Sequence, residues 1–313
     1  MSQIMHIEPR DFIETMEGLI FAVVDGRLED GRVLCFLRYL RSKDGLRKVG
    51  TSEANALLEQ DYPHYLLHSV RLAASLHGVP VTAVRCHHRP RERVQAMLRL
   101  PVRDALQDKA VRWLGIMARH GLDDKAVGIT GSLLIGAQNA GSDLDFVFYD
   151  RQTFFFAREC LRHAMTAGEF QPLSDTDWLA SYQRRGCALS FEDYCWHEQR
   201  KLNKGLCDGS KFDLTLNPEP DTPGAVGVRK WGSITLRATV NDASGAFDYP
   251  ARYRLDHSEI SEALSFTHTY AGQAFEGEVV EIAGMLEIDD AGIQRLVIGS
   301  SREAPGEYMR VLR

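Results

Sequence analysis

Residues 128–150, GITGSLLIGAQNAGSDLDFVFYD, are the segment that most restricts what this chain can fold into. The apolar residues 127–130 predict the end of a short buried strand, and the Gly-Ser pair at 131–132 predicts a tight turn after it. Residues 133–137 predict the first turns of a helix, and residues 144–149 predict a second strand. The segment therefore predicts a strand, a turn, a helix and a strand in immediate succession.

Two carboxylates mark the second of these strands. Side chains alternate between the two faces of a strand, so Asp143 and Asp145 should share a face while Leu144 enters the core. Two carboxylates at one site repel each other, and they suit Mg²⁺, which one or two carboxylates commonly hold together with substrate phosphates. Gly131 would let a backbone approach closely, and the backbone N–H of Ser132 could donate to a phosphate oxygen. The pattern predicts a site for a nucleoside triphosphate and its metal ion.

This arrangement resembles the nucleotidyltransferase superfamily typified by DNA polymerase beta, in which a Gly-Ser pair is followed, after a short helix and loop, by Asp-x-Asp on the next strand. Gly131, Ser132, Asp143 and Asp145 match that motif. Solvated turns and Ca²⁺ loops also contain such residues, but the strand-like residues 146–149 do not fit a Ca²⁺ loop. The resemblance covers roughly the central third of the chain and indicates no subfamily, so it implies fold and chemistry better than substrate.

The family carries a third carboxylate on a later strand, within an apolar-Asp-apolar pattern. Residues 211–216, KFDLTL, offer this pattern after an intervening helical segment, and Asp213 is the acid. The resemblance implies that an acceptor hydroxyl attacks the α-phosphate of a nucleoside triphosphate such as ATP and that pyrophosphate leaves. It also implies two Mg²⁺ ions, with Mn²⁺ as an alternative, held by the three acids, while the Gly-Ser pair holds the phosphates.

Two basic segments flank this central region. Arg200, Lys201 and Lys204 have helical spacing upstream of the third acid and could neutralise the leaving pyrophosphate; an ordinary solvated helix is the alternative. Residues 85–103 carry six arginines against one acid, with two adjacent histidines. This run is either a strip that contacts the phosphates of a nucleic-acid acceptor or a solvated linker and helix face. The histidines alone do not indicate Zn²⁺, which needs three or four converging ligands.

The remaining patterns predict an α+β fold with three domains. Apolar runs at 17–24 and 32–39 predict a hairpin, residues 51–54 a helix start and residues 79–85 a strand, which together form a small N-terminal α/β region over 1–95. Helices are predicted over 102–120 and 153–167, on either side of the central segment. They belong to a nucleotidyltransferase domain with a mixed sheet, residues 96–222, which ends at a Pro-rich break over 217–224.

After that break, residues 233–240, 249–255, 278–287 and 294–298 read as strands separated by turns. A module of this size resembles a five-stranded OB-fold barrel, which we assign to residues 223–313. OB folds often bind oligonucleotides. Residues 228–313 nevertheless carry nine Lys or Arg against 13 Asp or Glu, a balance of −4, which opposes phosphate binding. A structural or dimer-forming barrel is therefore an equal alternative.

Composition excludes several other classes. A formal net charge of −6 argues against a protein that coats nucleic acid by bulk charge, although a local basic channel remains compatible with it. No charge-free apolar run is long enough to span a bilayer, so a cytoplasmic protein without a membrane partner is expected. The six cysteines are scattered and contain no CxxC pair, which favours reduced thiols over a disulfide framework.

Two functions from different classes fit these patterns. The leading one is a metal-dependent nucleotidyltransferase that uses a nucleoside triphosphate and an acceptor hydroxyl, for which RNA or DNA is one candidate. The other is a non-catalytic nucleotide- or RNA-binding protein built on the same fold. The presence of all three acids favours the enzyme. The residues indicate neither the base, the acceptor nor the oligomeric state.

Overall fold

The computed structural model describes residues 6–72, 74–217, 228–300 and 304–313 of an α+β protein that contains several sheets. The chain forms two compact units. Unit 1 comprises the chain through Tyr149 together with Cys207–Leu214, and unit 2 comprises Asp150–Leu206 together with the chain from Thr215 onward. Within the described ranges, every helix is too short or too polar to cross a membrane.

Unit 1 begins with a seven-stranded sheet and one helix. Its elements are β1 (Phe12–Thr15), β2 (Leu19–Glu29), β3 (Arg32–Ser42), β4 (Gly45–Lys48), α1 (Thr51–Asp61), β5 (Leu66–Ser69), β6 (Ala74–Pro80) and β7 (Val84–His88). The strand order is β5-β6-β3-β2-β1-β7, and β4 pairs with β3. The pairings are antiparallel. The region is richer in strand than predicted, because four-residue strands are too short to show an alternating pattern.

Strands β2 and β3 confirm the predicted hairpin, and α1 confirms the predicted helix start at Thr51. The prediction of one strand over 79–85 is wrong. Strand β6 ends at Pro80, a 3₁₀ turn occupies Val81–Ala83, and β7 then pairs with β1 on the other side of the sheet. Pro80 has no backbone N–H to donate to a neighbouring strand, which favours a break at this position.

The remainder of unit 1 contains the segment with the Gly-Ser pair and its acids. Its elements are α2 (Pro90–Leu98), α3 (Ala105–Arg119), β8 (Val127–Ile129), α4 (Gly131–Ile135), β9 (Leu144–Phe148) and β11 (Ser210–Leu216), which follows β10 (Lys204–Cys207). The strand order is β10-β11-β9-β8, and β8 is antiparallel to β9. The predicted succession of strand, helix and strand is therefore confirmed, as is the strand around Asp213. The separate turn predicted at 131–132 is wrong: Gly131 and Ser132 form the first turn of α4, which ends at Ile135 before the left-handed Gly136 instead of continuing to residue 137.

Trp113 of α3 packs the two acid-bearing strands against one core. Its ring stacks on Phe146 of β9, with ring centroids 3.8 Å apart, and lies edge-on to Phe212 of β11 at 5.9 Å. All three side chains are buried. Because side chains alternate along a strand, burying Phe146 and Phe212 on this side turns Asp145 and Asp213 to the opposite side. One aromatic cluster thus sets the orientation of two of the three acids.

A second core joins α4 to the N-terminal sheet. Leu134 and Ile135 of α4 pack with buried residues of three strands, Phe12 of β1, Ile20 of β2 and Tyr39 of β3. The short helix that begins with the Gly-Ser pair therefore rests on one face of the seven-stranded sheet. The N-terminal region and the central segment belong to a single unit for this reason.

Unit 2 contains three helices followed by a sheet. Its elements are α5 (Arg151–Thr166), α6 (Asp175–Arg185), α7 (Phe191–Lys201), β12 (Val228–Asp242), β13 (Ala251–Asp256), β14 (Ile260–Ser265), β15 (Val279–Asp289), β16 (Gln294–Ile298) and β17 (Tyr308–Val311). The predicted helix over 153–167 and the four predicted strands are confirmed, with shifts at their ends. Strands β14 and β17 were not predicted from the sequence.

Five of these strands pair in a cycle. Strand β12 pairs with β13, β13 with β14, β14 with β16, β16 with β15, and β15 returns to β12. The β14–β16 pairing is parallel and the others are antiparallel, while β17 adds to β15 outside the cycle. Within the cycle, each of the five strands consequently has two partners.

The two units do not coincide with the three predicted domains, 1–95, 96–222 and 223–313. The residues on both sides of the boundary expected near residue 95 belong to unit 1, because α4 packs on the N-terminal sheet. Helices α5 to α7, expected in the central domain, belong to unit 2. Phe154 of α5, for example, packs against Phe247, and Nε2 of His197 accepts a hydrogen bond from the backbone N–H of Val311. The Pro-rich break at 217–224 lies, beyond its first residue, outside the described residues.

Replacing Trp113 should destabilise unit 1 strongly. We expect Trp113→Ala to lower the free energy of unfolding by ~3–5 kcal/mol, the range for large aromatic side chains removed from a core. Trp231→Ala is the matched control, since Trp231 is 71% exposed and its removal should change stability by no more than about 0.5 kcal/mol. Urea unfolding followed by circular dichroism measures both, and equal losses would contradict the packing described.

Candidate active site

Gly131 brings the Gly-Ser turn into contact with an acid. Its φ of +66° lies in the left-handed region, which favours glycine. A Cβ added at this position would collide with Oδ2 of Asp145 and would lie 3.4 Å from its Cγ. The backbone N–H of the preceding residue, Thr130, donates to the backbone oxygen of Asp145 at 2.9 Å. Turn and acid are therefore adjacent, as the sequence predicts.

The burial pattern confirms the predicted facing of β9 and β11. Leu144 is fully buried, while Asp143 and Asp145 are half-buried. In β11, Phe212 and Leu214 are buried and Asp213 between them is half-buried. Since β9 and β11 are neighbours in the sheet, the acids on these strands lie on neighbouring parts of one surface. Ser132 is half-buried beside Gly131.

The electrostatics of Asp145 reflect this crowding. The pKa of Asp145 is raised to about 6. Burial is the largest cause, and the negative charges of Asp213 and Asp143 also contribute. Arg10 and Lys48 act in the opposite direction and lower the pKa. A carboxylate disfavoured by burial and by two like charges gains from any cation that approaches it. The three predicted acids thus form one interacting group.

The chemistry of this group fits a hard cation. Carboxylate oxygens are the ligands that Mg²⁺ prefers, and Mg²⁺ commonly takes one or two of them together with substrate phosphates. Across the part of the chain that the structure describes, no group of three or more His, Cys, Asp or Glu side chains is arranged so that it could hold a metal ion.

The N-terminal sheet and the turn before it contribute residues that the sequence patterns did not indicate. The hydroxyl of Thr130 donates to the backbone oxygen of Arg10 at 2.8 Å, which places Arg10 next to the Gly-Ser turn. Lys48 lies opposite Tyr39 in the β3–β4 pairing. The charge of Asp145 raises the pKa of Tyr39, after burial as the larger cause. Neither Arg10 nor Lys48 belongs to a recognisable motif, and their position depends on how the sheet packs on α4.

The three basic residues upstream of the third acid are engaged within unit 2. Arg200 forms an ion pair with Glu278. The Lys201 ammonium is buried and donates to Glu198 and to the backbone oxygen of Thr269 at 2.6 Å. Burial would raise the pKa of Glu198, but the charges of Lys201 and Lys204 lower it to about 2.

The expectation of helical spacing through Lys204 is wrong. Helix α7 ends at Lys201, and Leu202 takes a left-handed conformation with φ of +46°. Lys204 then begins strand β10. A helical projection therefore does not describe the relation of Lys204 to the other two basic residues.

The arginine run at 85–103 is divided between local contacts and the surface. Arg93 donates to the backbone oxygen of Leu133 at 2.7 Å, and Arg103 pairs with Asp108. Arg91 is exposed and stacks over the ring of Tyr149 at 3.7 Å. The two histidines have separate partners: His87 contacts Asp11 at 2.6 Å and His88 faces Glu14 at 3.5 Å; all four of these side chains lie within the N-terminal sheet region.

Comparison with curated proteins finds a full-length relative. The "Uncharacterized protein MJ1086" of Methanocaldococcus jannaschii is 33% identical to this chain, over 99% of the chain and 100% of the archaeal protein. This chain therefore belongs to the same protein family as MJ1086. No family profile and no solved structure matches the chain.

The raised pKa of Asp145 predicts that this acid destabilises the protein at neutral pH. Its ordinary pKa is 3.8 and its pKa in the folded protein is about 6, so the folded state binds the proton more tightly between these values and loses stability as pH rises through them. At pH 7.5, Asp145→Asn should therefore unfold at a higher urea concentration than the wild type. Its free energy of unfolding should be larger by ~1–3 kcal/mol, since one pKa unit corresponds to about 1.4 kcal/mol.

The measurement is urea unfolding in EDTA at pH 7.5 and at pH 4. The advantage of Asp145→Asn should shrink at pH 4, where the wild-type carboxyl is protonated in the folded protein. Asp61→Asn, at the exposed end of α1, is the matched control. If Asp145→Asn proved less stable than the wild type at pH 7.5, the description of a repulsive acidic group would be incorrect.

Proposed function

We propose that this protein is a metal-dependent nucleotidyltransferase. The observation that carries the proposal is the meeting of Gly131 with the carboxylate of Asp145, a carboxylate on which Asp143 and Asp213 also act. These positions are the ones at which the sequence resembles the DNA polymerase beta superfamily. A glycine turn against a group of acids can receive the phosphates of a nucleotide on one side and a cation on the other.

The proposed reaction transfers a nucleoside monophosphate. An acceptor hydroxyl oxygen forms a bond to the α-phosphorus of a nucleoside triphosphate, and the bond from that phosphorus to the bridging oxygen breaks, so that pyrophosphate leaves. The hydroxyl proton passes to solvent or to a neighbouring carboxylate. In such a reaction the protein mainly positions the reactants and offsets charge.

Each acid has a proposed role. Asp143 and Asp145 would hold Mg²⁺, or Mn²⁺ in its place, and Asp213 would share an ion from the adjacent strand. The bound ions would supply charge neutralisation at the phosphates and a lower pKa for the acceptor hydroxyl. Gly131 keeps the turn close to Asp145, and Ser132 beside it would contact the phosphates. We assign no triphosphate contact to Arg200, Lys201 or Lys204, because carboxylates of unit 2 already engage them.

For unit 2 we infer an OB-like barrel built from β12 to β16. The cyclic pairing supports this inference, because it gives each of the five strands two neighbours. The excess of acidic over basic residues after residue 228 favours a structural or dimer-forming role over nucleic-acid binding. All six cysteines are free thiols, which fits the cytoplasm as the proposed compartment.

Removing either paired acid should abolish activity while the fold is retained. We expect Asp143→Asn and Asp145→Asn each to lose pyrophosphate release at least 100-fold, because each removes a charge from the proposed metal site. The assay supplies Mg²⁺, each of the four ribonucleoside triphosphates, and RNA, DNA or small alcohols as acceptors. Asp61→Asn should keep wild-type activity. Wild-type activity in both site variants would refute the metal assignment, and nucleotide binding by a wild-type protein that never releases pyrophosphate would favour a binding protein.

Asp213 should affect turnover more than nucleotide affinity. If it shares the ion near the acceptor hydroxyl, Asp213→Ala should lower kcat strongly while the Kd of the triphosphate, which depends on the other acids and the Gly-Ser turn, stays within a few-fold. Turnover comes from pyrophosphate release and Kd from calorimetric titration. A variant that lost nucleotide binding without a specific loss of turnover would show that Asp213 has been given the wrong role.

A further inference from the structure

The N-terminal sheet lies close enough to the acidic group to take part in its chemistry. Helix α4, whose first turn is the Gly-Ser turn, is covered on one side by Phe12, Ile20 and Tyr39 of that sheet. A covering that served only to bury α4 would need apolar residues alone. Here two cations lie at the same interface: Arg10, in the turn before β1, whose backbone oxygen accepts a hydrogen bond from Thr130, and Lys48, the last residue of β4.

The backbone fixes the position of Arg10. Its N–H donates to the backbone oxygen of Val23 at 3.0 Å, and its backbone oxygen accepts from the hydroxyl of Thr130 at 2.8 Å. Thr130 in turn donates its backbone N–H to Asp145. Thr130, which directly precedes the Gly-Ser turn, thus links Arg10 to Asp145 through two hydrogen bonds. Its φ of +73° is uncommon for a residue with a side chain.

Strand β4 fixes the position of Lys48. Leu46, two residues earlier on this strand, packs in the cluster with Leu134 and Ile135 of α4. Residues two apart on a strand share a face, so Lys48 lies on the face that α4 covers. Its cross-strand partner Tyr39 belongs to the same cluster. Lys48 is itself exposed, which leaves it accessible to a ligand at the edge of that cluster.

We propose that Arg10 and Lys48 bind the triphosphate of the nucleotide, so that the N-terminal sheet and the turn before β1 form one wall of the active site. This inference rests on the proposed function. The three acids attract cations but repel phosphates, so a triphosphate needs positive side chains on the same surface. Arg10 supplies one from the turn before β1 and Lys48 the other from the end of β4, where α4 meets the sheet. The ligand class is a nucleoside triphosphate carrying its magnesium ion.

Arg47 provides a matched control. It precedes Lys48 on β4, points to the opposite face and pairs with Glu53 of α1 at 2.5 Å. Lys48→Ala and Arg47→Ala therefore remove equal charge from one strand and differ in the face from which it is removed. For Arg10, Arg10→Lys keeps the charge and Arg10→Gln removes it, which separates electrostatic loss from a local change in the backbone.

The test is calorimetric titration of each variant with ATP and the other three ribonucleoside triphosphates in Mg²⁺, alongside pyrophosphate release. We expect Lys48→Ala and Arg10→Gln to raise the Kd of the preferred nucleotide by about tenfold or more, as for loss of a charged hydrogen bond. Arg47→Ala and Arg10→Lys should stay within about threefold of the wild type.

The outcomes separate the two proposals. If the wild type binds nucleotide and releases pyrophosphate, but Lys48→Ala and Arg10→Gln match Arg47→Ala, then the role of the N-terminal sheet is overturned and the proposed function stands. If the wild type binds nucleotide without releasing pyrophosphate, and the two variants lose binding, then the phosphate-binding role is supported and the transferase function fails. A wild type that binds none of the four nucleotides overturns both.

Discussion

The contact between Gly131 and the carboxylate of Asp145 is the constraint on which the site depends. A side chain at residue 131 would occupy the position of Oδ2, and its φ of +66° would strain any residue other than glycine. The backbone of Asp145 is held in place, because the ring of the adjacent Phe146 stacks on Trp113 and the backbone oxygen of Asp145 accepts a hydrogen bond from the N–H of Thr130. The core behind the strand therefore holds an acid in a place where burial and like charges oppose its ionisation.

The N-terminal sheet and the central segment form one unit because α4 packs on the sheet close to that acid. Packing of Leu134 and Ile135 on the sheet buries one side of the short helix α4. The same packing brings the positive charges of Arg10 and Lys48 to Asp145 and partly offsets its repulsion from the other acids. Hydrophobic burial and charge compensation thus act at one interface. In unit 2 two basic residues are used differently, since Lys201 at the end of α7 and Lys204 at the start of β10 compensate the buried Glu198.

The sequence predicted the elements that short-range patterns determine. The strands around residues 127–130 and 144–149, the helix between them and the acid at Asp213 were all predicted from alternation, glycine positions and the apolar-Asp-apolar pattern, and the structure contains them. Strands β14 and β17 were missed because they depend on pairing with distant strands. Arg10 and Lys48 carry no signal of their own for the same reason. The sequence pattern placed Lys201 on an accessible helix face, whereas it is buried with Glu198. The spacing of charged residues does not show that a pair three residues apart will be buried together.

The central claim is that the three acids hold a metal ion beside the phosphates of a nucleotide. The most direct test is a crystal structure of the protein grown with Mn²⁺ and a non-hydrolysable nucleoside triphosphate, with the metal located by anomalous scattering. The account predicts manganese between the carboxylates of Asp143, Asp145 and Asp213, with the triphosphate beside Gly131 and Ser132. Manganese or nucleotide bound only elsewhere in the molecule would contradict it.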